Sequence, residues 1–136
     1  MPQSRQSVVE TSPHLADIEG LPQSVVAYGR DLDKGNILPF HSHRRGQIVY
    51  ASKGIMIVAT RKGSYTVPPQ RAVWMPPGVE HQINARSPVK MRTLYIDSEA
   101  AMDLPDEVYV LQVSLLLREL IVVGRNDVDI LIGVLR

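Results

Sequence analysis

Gly35-Asn-Ile-Leu-Pro-Phe-His41-Ser-His43-Arg-Arg-Gly-Gln47-Ile-Val-Tyr-Ala-Ser-Lys-Gly54 is the stretch whose reading decides the fold. Two histidines stand at i and i+2. Successive side chains of a strand alternate between faces, so this spacing predicts that His41 and His43 point the same way. Gln47 keeps the same parity, although Gly46 is expected to bend the chain between them. Paired imidazoles on one strand face make half of a metal site. Pro76-Pro77-Gly78-Val79-Glu80-His81 offers the other half: a proline-glycine turn, then a histidine that enters a new apolar run.

Written as spacings, the two stretches read Gly-x5-His-x-His-x3-Gln-x6-Gly and Pro-x-Gly-x2-His. In that form they resemble the two motifs of the cupin superfamily. Gly35, His41, His43, Gln47 and Gly54 match the first motif, with Gln47 where the family usually has glutamate. Pro76, Gly78 and His81 match the second. Its usual leading glycine falls at Gln70 and its usual trailing asparagine at Ala85, with Asn84 one place off. Over residues 20–123 the chain is similar to the N-terminal sensor cupin of AraC-type transcriptional regulators. The wording of residues 38–54 and 67–81 carries that narrower likeness. The resemblance implies an all-β double-stranded β-helix, or jelly-roll barrel, with C-terminal helices. It also implies a small-molecule effector and a homodimer formed through those helices.

The pattern of the chain fits this. Residues 24–30, 47–51, 55–60, 65–67, 72–75, 81–85 and 89–96 are rich in strand formers. Turn chemistry separates them at close, regular spacing, as at Ser52-Lys53-Gly54, Arg61-Lys62-Gly63 and Pro68-Pro69. Many short strands spaced in this way predict an all-β sandwich or barrel. Residues 1–19 are polar and without period, and are expected to form a mobile tail in which His14 is solvated. Residues 20–107 are expected to form the barrel, and residues 108–136 a strand followed by a helical dimerisation segment. Ser114 is placed to cap a helix that Gly124 would end. A second short helix is expected near Asp127, with Ile130, Leu131, Val134 and Leu135 on one side.

Composition narrows the function. One domain suits 136 residues. No run of 18 apolar residues predicts a membrane span, and no apolar signal-type segment stands at the N-terminus. These observations make the cytoplasm the default location. There is no cysteine, so disulfides and thiolate metal sites are excluded. A net charge of +1 gives no basic footprint for nucleic acid.

His41, His43, Gln47 and His81 are the metal candidates. Neutral imidazole suits a divalent transition ion such as Zn, Ni, Fe or Cu, and Mn belongs to the same set. Three neutral rings and a neutral amide would leave the ion its full double charge, which favours an anionic or electron-rich co-ligand. The alternative is a polar barrel interior whose imidazoles bond a small molecule or water directly.

Arg44, Arg45 and Arg71 could grip an anionic effector, although solvated rim charge is the expectation. Tyr50, Met56 and Trp74, with Phe40, could line an effector pocket or simply pack as core. Residues 115–123, with Leu116, Leu117, Leu120 and Ile121, are apolar on nearly every face. That predicts burial in a partner, with packing under the chain's own barrel as the alternative.

Two functions are consistent with these residues. One is the effector-sensing and dimerisation half of an AraC-type regulator, which would meet DNA only through a helix-turn-helix domain absent from this chain. The other is a metal-dependent cupin enzyme, a dioxygenase or isomerase, since the fold serves both. Glu80, the carboxylate nearest the histidines, is adjacent to His81 and should point away from them. No evident general base remains, and the sensor is the expected function.

Overall fold

The computed structural model describes residues 18–123. Nine strands run in chain order: β1 (Val25–Leu32), β2 (Ile37–His41), β3 (Gly46–Lys53), β4 (Met56–Thr60), β5 (Gly63–Val67), β6 (Arg71–Met75), β7 (His81–Ala85), β8 (Val89–Ile96) and β9 (Tyr109–Gln112). A 3-10 turn, Ala100–Asp103, precedes β9, and the helix α1 (Leu115–Val123) follows it. The strands form two antiparallel sheets, ordered β1-β8-β3-β6-β9 and β2-β7-β4-β5. This is the all-β arrangement that the strand spacing predicts, and its two sheets agree with the jelly roll that the resemblance implies. The polyproline step at Pro68-Pro69 ends β5 at Val67, as residues that cannot donate to a ladder should.

Strand register sorts the interior into two layers. Opposite partners share a face, and Gln47 lies opposite Met75 and Tyr95, while Val49 lies opposite Val73 and Thr93. The apolar members of this set belong to the core between the sheets, with Met56, Val58, Ile83 and Met91. Ile48, one residue on, lies opposite Trp74 and Leu94, and these face the other way. They form a second core with Tyr50, Ile96, Leu117, Leu120 and Ile121, under α1. A strand buried on both faces shows no polar alternation, which is why β3 reads as an almost continuous apolar run. Gly46 begins β3 without a side chain because a Cβ there would collide with the indole of Trp74.

This layering corrects two expectations. The helix begins as predicted, with Ser114 Oγ accepting from the Leu117 amide at 3.1 Å. It is only half unpartnered, however. Leu117, Leu120 and Ile121 are buried on the chain's own barrel, whereas Leu115 and Leu116 are 85% and 54% exposed. Likewise the tail does not run through Glu19: Ile18 is buried, and the Glu19 carboxylate accepts from the Arg44 and Arg45 amides at 2.7 and 3.2 Å. The second helix expected near Asp127, the stop at Gly124 and His14 lie outside the described residues.

Candidate metal centre

His41 closes β2 and His81 opens β7, directly opposite each other in the ladder. Their ring centroids are 4.4 Å apart. His43 lies beyond the end of β2, and the register slips between Leu38 and His41, so strand alternation is not what aligns His41 with His43. Its ring still comes to 5.7 Å from His41 and 5.0 Å from His81. One nitrogen from each of the three rings lies within 4.8 Å of the others.

Local hydrogen bonds fix what these rings present. Each Nδ1 meets a backbone carbonyl two residues away: Pro39 for His41 at 2.6 Å, Arg45 for His43 at 2.6 Å, and Val79 for His81 at 2.9 Å. A carbonyl only accepts, so each Nδ1 carries the proton and donates it. Each Nε2 is then left with a bare lone pair. His81 Nε2 is buried and has no hydrogen-bond partner. Gln47 turns its Oε1 to 3.1 Å from His43 Nε2, and its amide nitrogen donates to Thr93 Oγ1 at 2.8 Å.

Two acceptors facing each other in a dry interior repel unless something positive lies between them. The donor set therefore fits a divalent transition ion: three imidazole nitrogens and one amide oxygen, all neutral.

Burial reinforces this state. Desolvation lowers the His81 pKa to about 3 and is opposed by the bond to Val79, with further lowering from His41 and His43. His43 is also lowered, again chiefly by desolvation, against the bond to Arg45. The sign follows directly. The unfolded rings take up protons near pH 6.5 while the folded ones stay neutral, so acid favours the unfolded chain. The metal-free protein should hold its full stability above pH 6.5. It should lose roughly 1.4 kcal/mol per pH unit from His81 as pH falls from 6.5 toward 3, with a further loss from His43 below pH 6.5. Urea melts between pH 7 and pH 5 read this directly, and the slope should flatten in His81→Gln. Stability that does not change over that interval would contradict the buried neutral rings.

The other predicted residues divide. Met56 lies between the sheets, in the same core as Met75 and Met91. Tyr50 and Trp74 do not line the barrel centre: they have the opposite parity to Gln47 and pack under α1, where Trp74 Nε1 donates to the Pro105 carbonyl at 2.7 Å. Phe40 carries the Arg61 guanidinium 4.0 Å above its ring. Arg61 also meets Glu80 at 3.2 Å, so Glu80 stands outside the cluster as expected. Arg44 and Arg71 are exposed.

Arg45 is not rim charge. It is buried and donates to the Leu21 and Ser24 carbonyls at 2.8 and 3.3 Å. Together with Glu19 it ties the incoming segment to the loop that carries His43.

Sequence reading passed over Thr93 and Tyr95. The Tyr95 ring stands edge-on to His43 at 5.3 Å. Burial raises its hydroxyl well above the usual phenol range, with a further rise from Tyr28. Only the β3–β8 register, which sets Tyr95 opposite Gln47, reveals these two residues. Beside the strand that carries His81, a groove of about 490 Å³ is walled by Thr60, Lys62, Tyr65, Val79 and Glu107.

The model of the AraC-like ligand binding domain family matches residues 24–122. The chain is similar to the HTH-type transcriptional regulator NimR of Escherichia coli, 36% identical over 88 residues, covering 65% of this chain and 32% of that protein. It therefore spans about a third of the regulator's length. Among solved structures, a conserved protein of unknown function from Streptococcus pyogenes is similar, with a TM-score of 0.53 at 22% identity, covering 57% of this chain and 68% of that one. An RmlC-like cupin from Shewanella frigidimarina gives a TM-score of 0.52 at 20% identity, over 56% and 68%. A Bacillus subtilis oxalate decarboxylase gives 0.50 at 21% identity, over 57% of this chain and 22% of the enzyme. At such identities these three show the fold, which is that of the cupins.

Proposed function

This chain belongs to the family of AraC-like ligand-binding domains, and we propose that it is the effector-sensing and dimerisation domain of an AraC-type transcriptional regulator. Its receptor site is the group formed by His41, His43, Gln47 and His81. The observation that carries the reading is the convergence of three histidine ring nitrogens within 4.8 Å of one another, with Gln47 Oε1 3.1 Å from His43 Nε2. A divalent ion held there by neutral groups keeps its double charge and attracts an anion. The effector is accordingly a small organic acid or another electron-rich molecule. Leu115 and Leu116 join two copies through α1. DNA contact belongs to a separate domain of the whole regulator, which works in the cytoplasm. Among the described residues no helix is long and apolar enough to cross a membrane.

A metal-dependent dioxygenase or isomerase is the second reading, and the site favours it less. The histidine group contains no carboxylate, and Glu80 is engaged by Arg61 outside it. Acid–base chemistry therefore has no evident carrier.

A thermal-shift screen of the metal-loaded chain against small carboxylic acids tests the proposal. A ligand at a hundred times its Kd should stabilise the chain by about 2.7 kcal/mol. His81→Ala should remove that response. Turnover of one of these acids by this chain, lost in His81→Ala, would replace the sensor with the enzyme. Sequence-specific DNA binding by this chain alone at physiological salt would also contradict the proposal.

A further inference from the structure

We propose that Thr93 is a positioning residue that decides which end of the Gln47 amide faces the histidines. The inference rests on the metal reading above and extends it to a residue outside the ligand set. Thr93 stands on β8 opposite Val49, on the inner face of the five-stranded sheet, and is almost completely buried. Its hydroxyl donates to the Ile48 carbonyl at 2.8 Å. A hydroxyl has one proton, so toward Gln47 it acts as an acceptor, and the Gln47 Nε2–H group donates to it at 2.8 Å. With the nitrogen end held there, Oε1 is left 3.1 Å from His43 Nε2.

The alternative orientation shows why this matters. Turned over, the amide would donate an N–H to His43 Nε2. That bond would occupy the lone pair a cation needs and put a donor where the other acceptors converge. Without the Thr93 hydroxyl, the amide nitrogen loses its buried acceptor, and an unpaired buried donor is costly. Turning onto His43 is its nearest remedy. The chain Ile48 carbonyl, Thr93 hydroxyl, Gln47 amide therefore holds the site open to a cation. A carboxylate at position 47 would not need it, because both of its oxygens accept.

That difference supplies the test. Zinc and cobalt titrations of the chelator-treated chain should show Thr93→Val weakening metal affinity by about 10- to 100-fold, the usual effect of an outer partner of a ligand. Thr93→Ser, which keeps the hydroxyl, should stay close to the parent. In a Gln47→Glu background, Thr93→Val should cost little, a non-additivity that a merely structural role would not produce. Should Thr93→Val fail to fold, Thr93→Ala is read in the same cycle.

Equal zinc affinity in the parent and Thr93→Val would overturn the proposal, as would an equal loss in Thr93→Ser or in both position-47 backgrounds. Absence of zinc and cobalt binding by the parent would sink the metal reading and leave Thr93 to a metal-free measurement. In the ¹H–¹⁵N spectrum of the chelator-treated chain, the Gln47 side-chain amide protons should exchange slowly with solvent in the parent and in Thr93→Ser. They should exchange fast in Thr93→Val. Unchanged exchange in Thr93→Val would refute the positioning role outright.

Discussion

Leu120→Lys is expected to unfold the domain, while Leu116→Lys leaves it folded and abolishes self-association. The two residues are one helical turn apart on the same side of α1, but Leu120 is buried whereas Leu116, in the first turn, is half exposed. Leu120 is buried with Leu117 and Ile121 against Ile48, Tyr50, Trp74 and Leu94. Truncating a buried leucine costs about 2–5 kcal/mol. Burying an ammonium without a partner adds several more. Together these approach the whole stability of a domain, about 5–15 kcal/mol. Leu116 is half exposed and Leu115 almost fully so. A lysine at either position costs the monomer about 0.5 kcal/mol or less, the usual range for surface changes, but puts charge into the apolar surface proposed to join two copies. Denaturant melts and light scattering at micromolar concentration separate the two effects. A parent chain that stays monomeric there, or a folded Leu120→Lys protein, would reverse this account of α1.

The second large effect belongs to the histidines. The double substitution His41→Ala and His81→Ala should remove bound metal altogether, as read by elemental analysis of protein purified without an affinity tag. These two rings face each other across the β2–β7 ladder, and together they supply two of the four inward acceptors. An ion left with His43 and Gln47 alone has lost half of its protein ligands, too many for a closed tetrahedral set. The double substitution also removes the bonds to the Pro39 and Val79 carbonyls, so circular dichroism of the variant is read beside its metal content. Metal content that survives the double substitution would move the site elsewhere.

Much of this was legible in the sequence because its signals are local. Turn residues at Gly54, Arg61-Lys62 and Pro68-Pro69 fix where strands end. The spacing of His41, His43, Gln47 and His81 fixes which side chains can meet. What stayed hidden depends on layering. Periodicity shows that Tyr50 and Trp74 are apolar, but not that their side of the sheet lies under a helix instead of in the barrel. The parity of Gln47 and Tyr50 already separates them, since residues an odd number apart face opposite ways. Strand alternation was the wrong reason for His43. That ring is placed by its bond to the Arg45 carbonyl, after β2 has ended. Arg45 looked like solvated charge because the carbonyls of Leu21 and Ser24 that bury it come from a segment more than twenty residues away. Thr93 carries no motif. Only strand register brings it to Gln47.

Whether one cation joins these side chains is read most directly by anomalous diffraction, at the absorption edge of cobalt, from crystals of the cobalt-loaded chain. A single peak bounded by the Nε2 atoms of His41, His43 and His81 and by Gln47 Oε1 is the predicted result. A map with no peak there under saturating cobalt, or with the Gln47 amide nitrogen turned toward His43, would contradict it.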